Sequence, residues 1–548
     1  MHDVKQVRHP MLILITVLSA TFMQLVDISI VNTAIPSIQR DLDATFSSIQ
    51  LVLAGYQLSF ACMLITGARL GDIFGRKRLF LIGMVGFTAA SIFCGLAQTP
   101  HQLIIARVLQ GALSGLMFPQ VLSVIQVIYP PQERGRVFGI YGATIGIATI
   151  AGPLLGGLFI AWNPAHTLWR SIFLVNVPIG LFAIVSAIRV MPESKAENAS
   201  RLDVKGALLV ASGLFLLIYP LSVGREKGWP TWSFLSLGLS VPVLVFFVWF
   251  EGLKTRRADS PLLLTTLFKE RAFVVGLAIS ATFFLGVAPF FFIFSLTLQA
   301  GFGFTAIGAG LTTFPFALGS ALAASQSDKI AQRIGLNLLR LGCALLVIGH
   351  GALLLSLHFA GTGVHGYQLA PALFICGIGL GCFVGPVNNV ILARVRVEAA
   401  GSASGVISTS QLVAGAVGVA ALGSIFFGLL GANANVAATK PTRQLNAALV
   451  STGTPPGAAD RATAAFALCF DRRAHAVDPS TAIAGCPNAS ATSPFSKAAT
   501  YARKADFSRS MQQAILWELV VFAVALGLVG GLPPRPEHAA PQSAPAEA

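Results

Sequence analysis

The stretch Gly67-Ala-Arg-Leu-Gly-Asp-Ile-Phe-Gly-Arg-Lys-Arg-Leu79 decides the fold class, because it is a short, charged connection between two long apolar segments. Apolar stretches of about 20 residues, the length that crosses roughly 30 Å of hydrocarbon, recur along nearly the whole chain. Only 11% of the 548 residues are charged, whereas a soluble globular chain has about 25%. The sequence therefore predicts an all-α integral membrane protein.

We predict fourteen membrane spans, arranged as six, two and six. The first span is too long to be a cleaved signal peptide, so we expect it to remain as a helix. Many transporters consist of two related halves with the substrate path at their interface. The predicted spans are 10–36, 49–70, 79–97, 103–128, 137–161, 169–189, 205–223, 232–250, 272–299, 305–325, 336–358, 367–392, 402–430 and 512–532.

Composition divides the chain further. The segment before the last span is rich in Ala, Thr, Pro and Ser, which favours partial disorder with short helices around Pro456–Phe470 and Pro494–Phe507. The predicted divisions are an N-terminal six-helix bundle (1–191), two linker transmembrane helices (192–260), helices 9–13 of the C-terminal bundle (261–430), an external loop (431–511), the last transmembrane helix (512–532) and a disordered cytoplasmic tail (533–548).

The net charge of +15 is read as a topology signal and not as a sign of nucleic-acid binding. With the N-terminus inside, most of the 37 Lys and Arg residues fall in cytoplasmic segments, as the positive-inside rule requires. The long 431–511 segment is discounted by that rule. We therefore expect a multi-pass protein of the cell (inner or plasma) membrane with both termini in the cytoplasm and the lipid bilayer as its surroundings.

The opening stretch contains more order than topology requires. Gly71 and Gly75 permit tight turns and close helix approach. Asp72 can accept charge-assisted hydrogen bonds from Arg76 or from a neighbouring helix N-terminus. Positive-inside charge alone would explain the cations but neither the carboxylate nor the glycines. A cytoplasmic latch between the two halves explains all of them.

This stretch resembles the signature loop of the major facilitator superfamily, Gly-x-Leu-Ala-Asp-Arg-x-Gly-Arg-Lys. The leading glycine stands one residue early, at Gly67, and Ala68 occupies its usual place. The resemblance implies a cytoplasmic gating motif made by Gly67, Asp72, Gly75, Arg76 and Lys77, with Leu70 also matching.

Further matches follow in the order that the fourteen-helix drug:proton antiporters of this superfamily share. Ser29 replaces the usual Thr of the first-helix motif and keeps its hydroxyl. The matching segments are Asp27–Asn32 with Pro36, Arg107–Gly115, Gly142–Gly146, Gly152–Gly157 and Trp169–Gly180. The resemblance implies a major facilitator fold that exports amphipathic or lipophilic compounds, drugs or toxic cations among them, by alternating access. A proton gradient would supply the energy, with no cofactor.

The glycines of the fifth span are predicted to form its packing face. Gly142 and Gly146 are one helical turn apart, as are Gly152 and Gly156, so each pair presents a groove to a neighbouring helix. Pro153 can kink the helix, and Gly157 extends the second groove. Ordinary helix packing is the alternative to the antiporter role that the resemblance implies.

Asp27 is the one acid of the first span, and it costs roughly 2.5–3.5 kcal/mol on insertion scales. Arg107 lies in the outer half of the fourth span, at a similar depth, so a water-filled cavity would let the two interact. We expect Asp27 to bind the coupling proton or a cationic substrate and Arg107 to tune it, because a guanidinium does not titrate usefully. The alternative is a permanently paired, structural carboxylate.

Several other polar residues are further candidates for functional or structural roles. Helix-embedded amides can hydrogen-bond across helices or to a ligand, and Glu518 can line the path or reach outward. Cys469 and Cys486 both lie in the 431–511 segment, where one disulfide can form. The candidate cavity-lining residues are Asn32, Gln110, Gln120, Asn388, Asn389 and Glu518.

The sequence contains no Walker phosphate loop, no metal-ligand cluster and no Ser-His-Asp arrangement, so we expect neither ATP-driven export nor an enzyme. The expected partners are protons and an amphipathic small molecule; no protein partner is predicted. The alternatives are an exporter of a native metabolite or lipid, an importer, or a non-transporting sensor that uses the 431–511 segment as its ligand-binding module.

Overall fold

The structure is a computed structural model that describes residues 9–44, 46–162, 168–195, 203–224, 227–257, 263–393, 395, 399–475 and 493–532. Throughout these ranges the regular structure is helical. The N-terminal half contains α1 (Pro10–Leu42), α2 (Phe46–Phe74), α3 (Arg76–Leu96), α4 (Pro100–Ile128), α5 (Pro131–Trp162), α6 (Ser171–Leu174) and α7 (Asn176–Val190).

Two further helices and a second bundle follow. The linker helices are α8 (Val204–Val223) and α9 (Thr231–Arg256). The remaining helices are α10 (Arg271–Leu296), α11 (Ala306–Ile334), α12 (Asn337–Ala360), α13 (Gly366–Leu392), α14 (Ala400–Ser451), α15 (Pro456–His475) and α16 (Pro494–Val529).

The all-α membrane fold is confirmed. Within the described residues, 12 helical segments are long and apolar enough to cross a membrane. The count rises to 13 when the two arms of α2, Leu51–Leu64 and Thr66–Phe74, bent by 47°, are taken as one span. The fifth predicted span, 137–161, is also a single helix, α5, although it is not among these 13. The number of spans is thus close to the fourteen predicted.

Several helices begin at a residue whose side chain caps the first turn. Thr99, Thr305 and Ser493 each accept a hydrogen bond from the backbone N–H three residues later, which satisfies one of the unpaired donors of a helix N-terminus. Asp203 does the same for α8 through the N–H of Gly206. Short polar connections therefore suffice to separate long apolar helices.

The two halves meet along the molecule's centre. Helix α5 packs against α11 and α13, and α14 packs against α2 and α4. The linker helices pack on each other, with α8 also against α2. Only 17% of the apolar stretch of α9 is buried inside the protein, whereas 72% of that of α4 is buried. Helix α9 therefore presents most of its apolar surface to lipid.

The segment 431–511 differs from its prediction. Helix α14 continues without a break to Ser451, and its 52 residues extend about 78 Å, more than twice the hydrocarbon thickness. The predicted helix at Pro456 is present as α15. The predicted helix at Pro494 is the start of the 36-residue α16 and not a separate element. Partial disorder is therefore wrong for 431–475 and 493–511, while 476–492 lie outside the described residues.

These helical extensions pack together as a projecting bundle, which comprises 431–451 of α14, α15, and 494–511 of α16. Asn433 Nδ2 donates to Ser510 Oγ at 3.1 Å and to Gln513 Oε1 at 2.7 Å, which fixes α14 against α16 where they leave the spans. Alanine, the best helix former, is frequent in this segment. The sequence of this segment shows no long apolar period. Its ordered, helical structure is therefore visible only in the packing of the helices.

Candidate functional site: a buried ion pair shared by four helices

Asp27 on α1 and Arg107 on α4 form an ion pair inside the N-terminal half. Arg107 Nη1 lies 2.5 Å from Asp27 Oδ2, and the two side chains are 1% and 0% exposed. The proximity expected from their similar depths is therefore present. A charge buried to this degree needs a partner and further hydrogen bonds to be tolerated.

Two amides supply those further hydrogen bonds. Gln110 Nε2 donates to Asp27 Oδ1 at 3.1 Å, and Asn176 Nδ2 donates to the same oxygen at 2.9 Å. Asp27 therefore accepts from three N–H groups on α4 and α7. The charge of the carboxylate is compensated on both of its oxygens.

Ser91 on α3 ties the two amides together. Its Oγ accepts from Gln110 Nε2 at 3.2 Å and from Asn176 Nδ2 at 3.0 Å, and it donates to the carbonyl of Phe173 at 2.9 Å. Gln110, Asn176 and Ser91 are all fully buried. We call the set Asp27, Arg107, Gln110, Asn176 and Ser91 the N-half polar cluster; it joins α1, α3, α4 and α7.

The guanidinium of Arg107 is held from its other sides as well. Its Cζ lies 4.2 Å from the centroid of the Tyr56 ring on α2 and 5.7 Å from that of Phe173. Arg107 Nη1 also donates to Gln110 Oε1 at 2.7 Å. Cation–π contacts of this kind strengthen when they are desolvated. The cation therefore has a fixed position beside Asp27.

Sequence reasoning missed three members of this site. Asn176 had a usable signal, because it is a lone amide in the apolar stretch Phe173-Leu-Val-Asn-Val177. Tyr56 and Ser91 had none, since a tyrosine or serine in a membrane helix is unremarkable by itself. Their roles follow only from the way that α2 and α3 face α4.

The other candidate cavity-lining residues lie in different places. Gln120 Nε2 donates to the carbonyl of Gly67 at 2.9 Å, so it belongs beside the cytoplasmic motif. Asn388 is buried and accepts from Gln411 Nε2 at 3.4 Å, and Asn389 is half-buried. The side chain of Asn32 lies outside the described residues. Glu518 is buried in the C-terminal half.

The signature loop between α2 and α3 is compact. Arg76 Nη2 lies 2.8 Å from Asp72 Oδ1, with both side chains buried. Gly75 has a φ of 109°, which favours glycine. A Cβ on Gly67 would overlap the carbonyl oxygen of Gly115 on α4. The glycines therefore allow α2 to approach α4 closely and turn directly into α3.

Glu193, just after α7, completes the motif and was not predicted. Its carboxylate accepts from the backbone N–H groups of Lys77 at 3.1 Å and Arg78 at 3.2 Å, at the N-terminus of α3. Lys77 Nζ in turn donates to the carbonyl of Ile188 at 2.9 Å. A carboxylate is favoured at this end of a helix. The contact links the signature loop to the end of the sixth span.

The fifth-span glycines face two different neighbours. A Cβ on Gly152 or Gly156 would overlap α1, at Ser29 and Thr33 respectively. A Cβ on Gly146 would lie 2.6 Å from Ser320 Oγ on α11, and one on Gly142 only 3.5 Å from the nearest atom, the backbone nitrogen of Gly385. Gly157 is buried, and the side chain of Pro153 is outside the described residues. Helix α5 thus touches α1 with one glycine pair and the C-terminal half with the other.

A more exposed carboxylate, Asp41, closes α1 at its other end. It accepts from Trp169 Nε1 at 2.9 Å and from Arg170 Nη1 at 2.5 Å. Burial alone would raise the pKa of Asp41, but the hydrogen bonds from Trp169 and Arg170 and the charge of Arg170 lower it below its ordinary value. The contact fixes the start of the sixth span against α1.

Cys469 on α15 is disulfide-bonded. The predicted partner, Cys486, lies outside the described residues, so the pairing itself stays a prediction. Cys62, Cys94, Cys343, Cys376 and Cys382 are free thiols in membrane helices.

Two helical bundles with a buried ion pair in one of them define a multi-pass membrane transporter. The chain belongs to the Major Facilitator Superfamily, whose family model matches residues 17–419. A bacterial homologue of the human lysosomal transporter Spinster has the same fold, with a TM-score of 0.53 at 16% identity over 96% of this chain and 98% of its own.

Two bacterial relatives are similar over most of their length. The probable actinorhodin transporter of Streptomyces coelicolor is 36% identical over 528 residues, which cover 95% of this chain and 91% of that protein. The puromycin resistance protein pur8 of Streptomyces alboniger is 33% identical over 423 residues, 76% of this chain and 81% of its own.

Proposed function

We propose that this protein is a plasma-membrane exporter that moves amphipathic or lipophilic compounds, drugs or toxic cations among them, out of the cell in exchange for protons. The observation that carries the proposal is the buried Asp27–Arg107 pair in a transporter of this superfamily. A charged pair inside the membrane-embedded part of a transporter marks an ion or substrate pathway by default.

The substrate class rests on the relatives. One is named for actinorhodin and the other for resistance to puromycin. The first is named as a transporter and the second for resistance, and export of the compound would account for both names. Transfer of export to this chain is supported by the length of the matches, 528 and 423 residues.

The chemistry of the cluster supports the proposed proton coupling. A proton on Asp27 cancels its charge, and Arg107 remains a cation without its counter-ion. Gln110 and Asn176 then donate to a neutral oxygen, so the contacts that join α1 to α4 and α7 weaken. A proton that binds the alternative arrangement more tightly shifts the conformational equilibrium towards it. A cationic substrate near Asp27 would compete with that proton.

The motif at the other end of α2 fits the role of a gate. We assign it to the cytoplasmic side, with both termini also cytoplasmic. The Asp72–Arg76 pair and the Glu193 contacts hold α2, α3 and the end of α7 together. The fifth-span glycines bring α5 against α1 and against the C-terminal half. A movement at Asp27 can therefore reach the interface between halves through packed helices.

The test is transport in proteoliposomes that hold the purified full-length protein. The outside solution is made more acidic than the vesicle interior, so that protons enter the vesicles as the dye leaves them. Efflux of ethidium is followed by fluorescence. We expect wild-type protein to drive efflux and Asp27→Asn to lose gradient-driven efflux. Asp41→Asn, which changes an acid near the end of the same helix, is the matched control and should retain it.

Equal efflux by wild type and Asp27→Asn would remove Asp27 from coupling and leave it as a structural carboxylate. Normal transport by Asp27→Glu alongside normal transport by Asp27→Asn would do the same. Absence of efflux by wild type with ethidium and with a panel of other lipophilic cations would contradict drug export itself.

A second candidate is export of one native metabolite. It is favoured by the match to the probable actinorhodin transporter, since 95% coverage of this chain includes most of the projecting bundle. Competition in the same vesicles separates the candidates. If actinorhodin or a similar aromatic metabolite inhibits ethidium efflux at low concentration while structurally unrelated cations do not, the metabolite is the substrate.

A further inference from the structure

His350 on α12 and Glu518 on α16 face each other in the C-terminal half. His350 Nε2 lies 3.6 Å from Glu518 Oε2, slightly beyond a hydrogen bond, and the side chains are 1% and 0% exposed. Among the described residues, neither Glu518 oxygen nor His350 Nε2 has a hydrogen-bond partner. Unpartnered polar atoms in so dry a place are rare and require an explanation.

The hydrogen-bond partner of Nδ1 determines the tautomer of His350. His350 Nδ1 lies 2.8 Å from the carbonyl oxygen of Leu346. A carbonyl only accepts, so Nδ1 carries the hydrogen and, in the neutral ring, Nε2 presents a lone pair. That lone pair points towards the carboxyl group of Glu518.

This geometry requires a proton. Without one, an anionic carboxylate would face a lone pair with no donor nearby, in surroundings where an isolated charge costs far more than in water. With one proton on Glu518 Oε2, both groups are neutral, and an O–H group instead of a second lone pair lies 3.6 Å from His350 Nε2. The transfer of that proton to Nε2 would give an imidazolium and a carboxylate, a charged pair that apolar surroundings disfavour.

The walls around the pair are apolar. The ring centroids of Phe290 and Phe522 lie 4.8 Å and 4.9 Å from that of His350. Cys376 on α13, whose sulfur is 3.5 Å from His350 Nδ1, is the other titratable group that faces the pair among the described residues. Helices α10 and α14 carry no ionisable residue over 272–296 and 402–430.

We propose that His350 and Glu518 form a second proton-binding site, in which Glu518 holds one proton beside His350 Nε2. The site lies in the half of the molecule opposite the N-half polar cluster. The proton cannot leave while the pair is dry, so release requires the helices α12 and α16 to separate and admit water. A role for this site in coupling rests on the proposed function; the protonation itself does not.

The protonation is tested by infrared spectroscopy on the purified full-length chain in lipid nanodiscs. We expect a band from a protonated carboxyl group to persist at neutral pH and to disappear in Glu518→Gln. His350→Gln should shift the band, because the polar group beside the O–H changes, and should not remove it. Glu270→Gln and His358→Gln, which change exposed residues, should leave the spectrum unchanged.

A Glu518→Gln spectrum identical to that of wild type across the whole pH range would overturn the proposal. So would a loss of the band in Glu270→Gln, since the signal would then come from the surface. Chromatographic profiles of all variants establish that they are folded, and the conservative exchange of carboxyl for amide keeps the shape of the site.

The coupling role is tested in the same proteoliposomes as the proposed function. Glu518→Gln should lose gradient-driven ethidium efflux and keep ethidium exchange in the absence of a gradient. Wild-type efflux rates in Glu518→Gln would overturn the role in coupling. If wild type itself drives no efflux, the proposed function fails, while the infrared band still decides whether the proton is present.

Discussion

The two halves of the molecule each bury a carboxyl group, and they surround it in opposite ways. Asp27 accepts three N–H hydrogen bonds and lies 2.5 Å from a guanidinium. In the described part of the chain, Glu518 accepts no hydrogen bond, and one imidazole lies 3.6 Å from it. The first environment compensates a full negative charge, and the second favours a neutral acid. Two carboxyl groups with opposed preferences can hold protons in different conformations of one transporter.

The largest effect on stability is expected from a substitution of Arg107. Arg107→Met leaves Asp27 buried without its counter-ion, which costs about 3–5 kcal/mol of unfolding free energy. The double variant Asp27→Leu with Arg107→Met should recover most of that loss, because the uncompensated charge is gone. Unfolding in detergent, followed by tryptophan fluorescence, measures both.

The control for this prediction is Arg170→Ala, which breaks the more exposed pair with Asp41 and should cost under about 1 kcal/mol. An Arg107→Met protein as stable as Arg170→Ala would mean that Asp27 does not depend on its guanidinium for compensation.

The position of α1, and with it Asp27, depends on the packing of α5. A Cβ on Gly152 would lie 2.8 Å from Ser29 Cβ and 3.1 Å from the backbone nitrogen of Ile30. Gly152→Ala should therefore destabilise by about 1–3 kcal/mol through overpacking, and ethidium efflux should fall. Gly142→Ala on the same helix meets nothing closer than 3.5 Å and should be neutral or slightly stabilising. Equal effects of the two substitutions would contradict this account of the glycine face.

Replacement of each buried carboxyl group by an amide tests whether the two halves hold a charged and a neutral acid, respectively. Asp27→Asn removes a charge that Arg107 requires, so stability should fall. Glu518→Gln replaces a neutral O–H donor by a neutral N–H donor, so stability should change by under about 1 kcal/mol. Thermal unfolding of the two variants side by side measures the difference. A larger loss in Glu518→Gln than in Asp27→Asn would reverse the assignment of charged and neutral sites.

The smallest effect is expected at Asp41, outside the membrane core. Because its folded pKa is lowered, its contribution to stability is complete above its unfolded pKa of about 4 and is lost as pH falls through the folded value. Wild type should exceed Asp41→Asn in thermal stability at neutral pH, and the two should converge in acid. A difference that grows as pH falls would contradict the lowered pKa.

Local features of the sequence accounted for the membrane class, the approximate number of spans and the family. The apolar lengths, the charge bias and the signature motif are readable within one segment at a time. The Asp27–Arg107 proximity was also within reach, since two lone charges at similar depth in one bundle have few other partners. The projecting bundle was not, because a polar, alanine-rich segment becomes ordered only through the helices that pack on it.

The sequence by itself determined that this chain crosses a membrane many times and where its buried charges lie along each helix. Only the tertiary structure decided which of them meet. The distance along a helix sets the depth of a residue, but the rotation of that helix about its axis sets its neighbours. Asn176 contacts Asp27, and Glu518 lies beside His350, because of rotations fixed by packing between helices that are far apart in the chain.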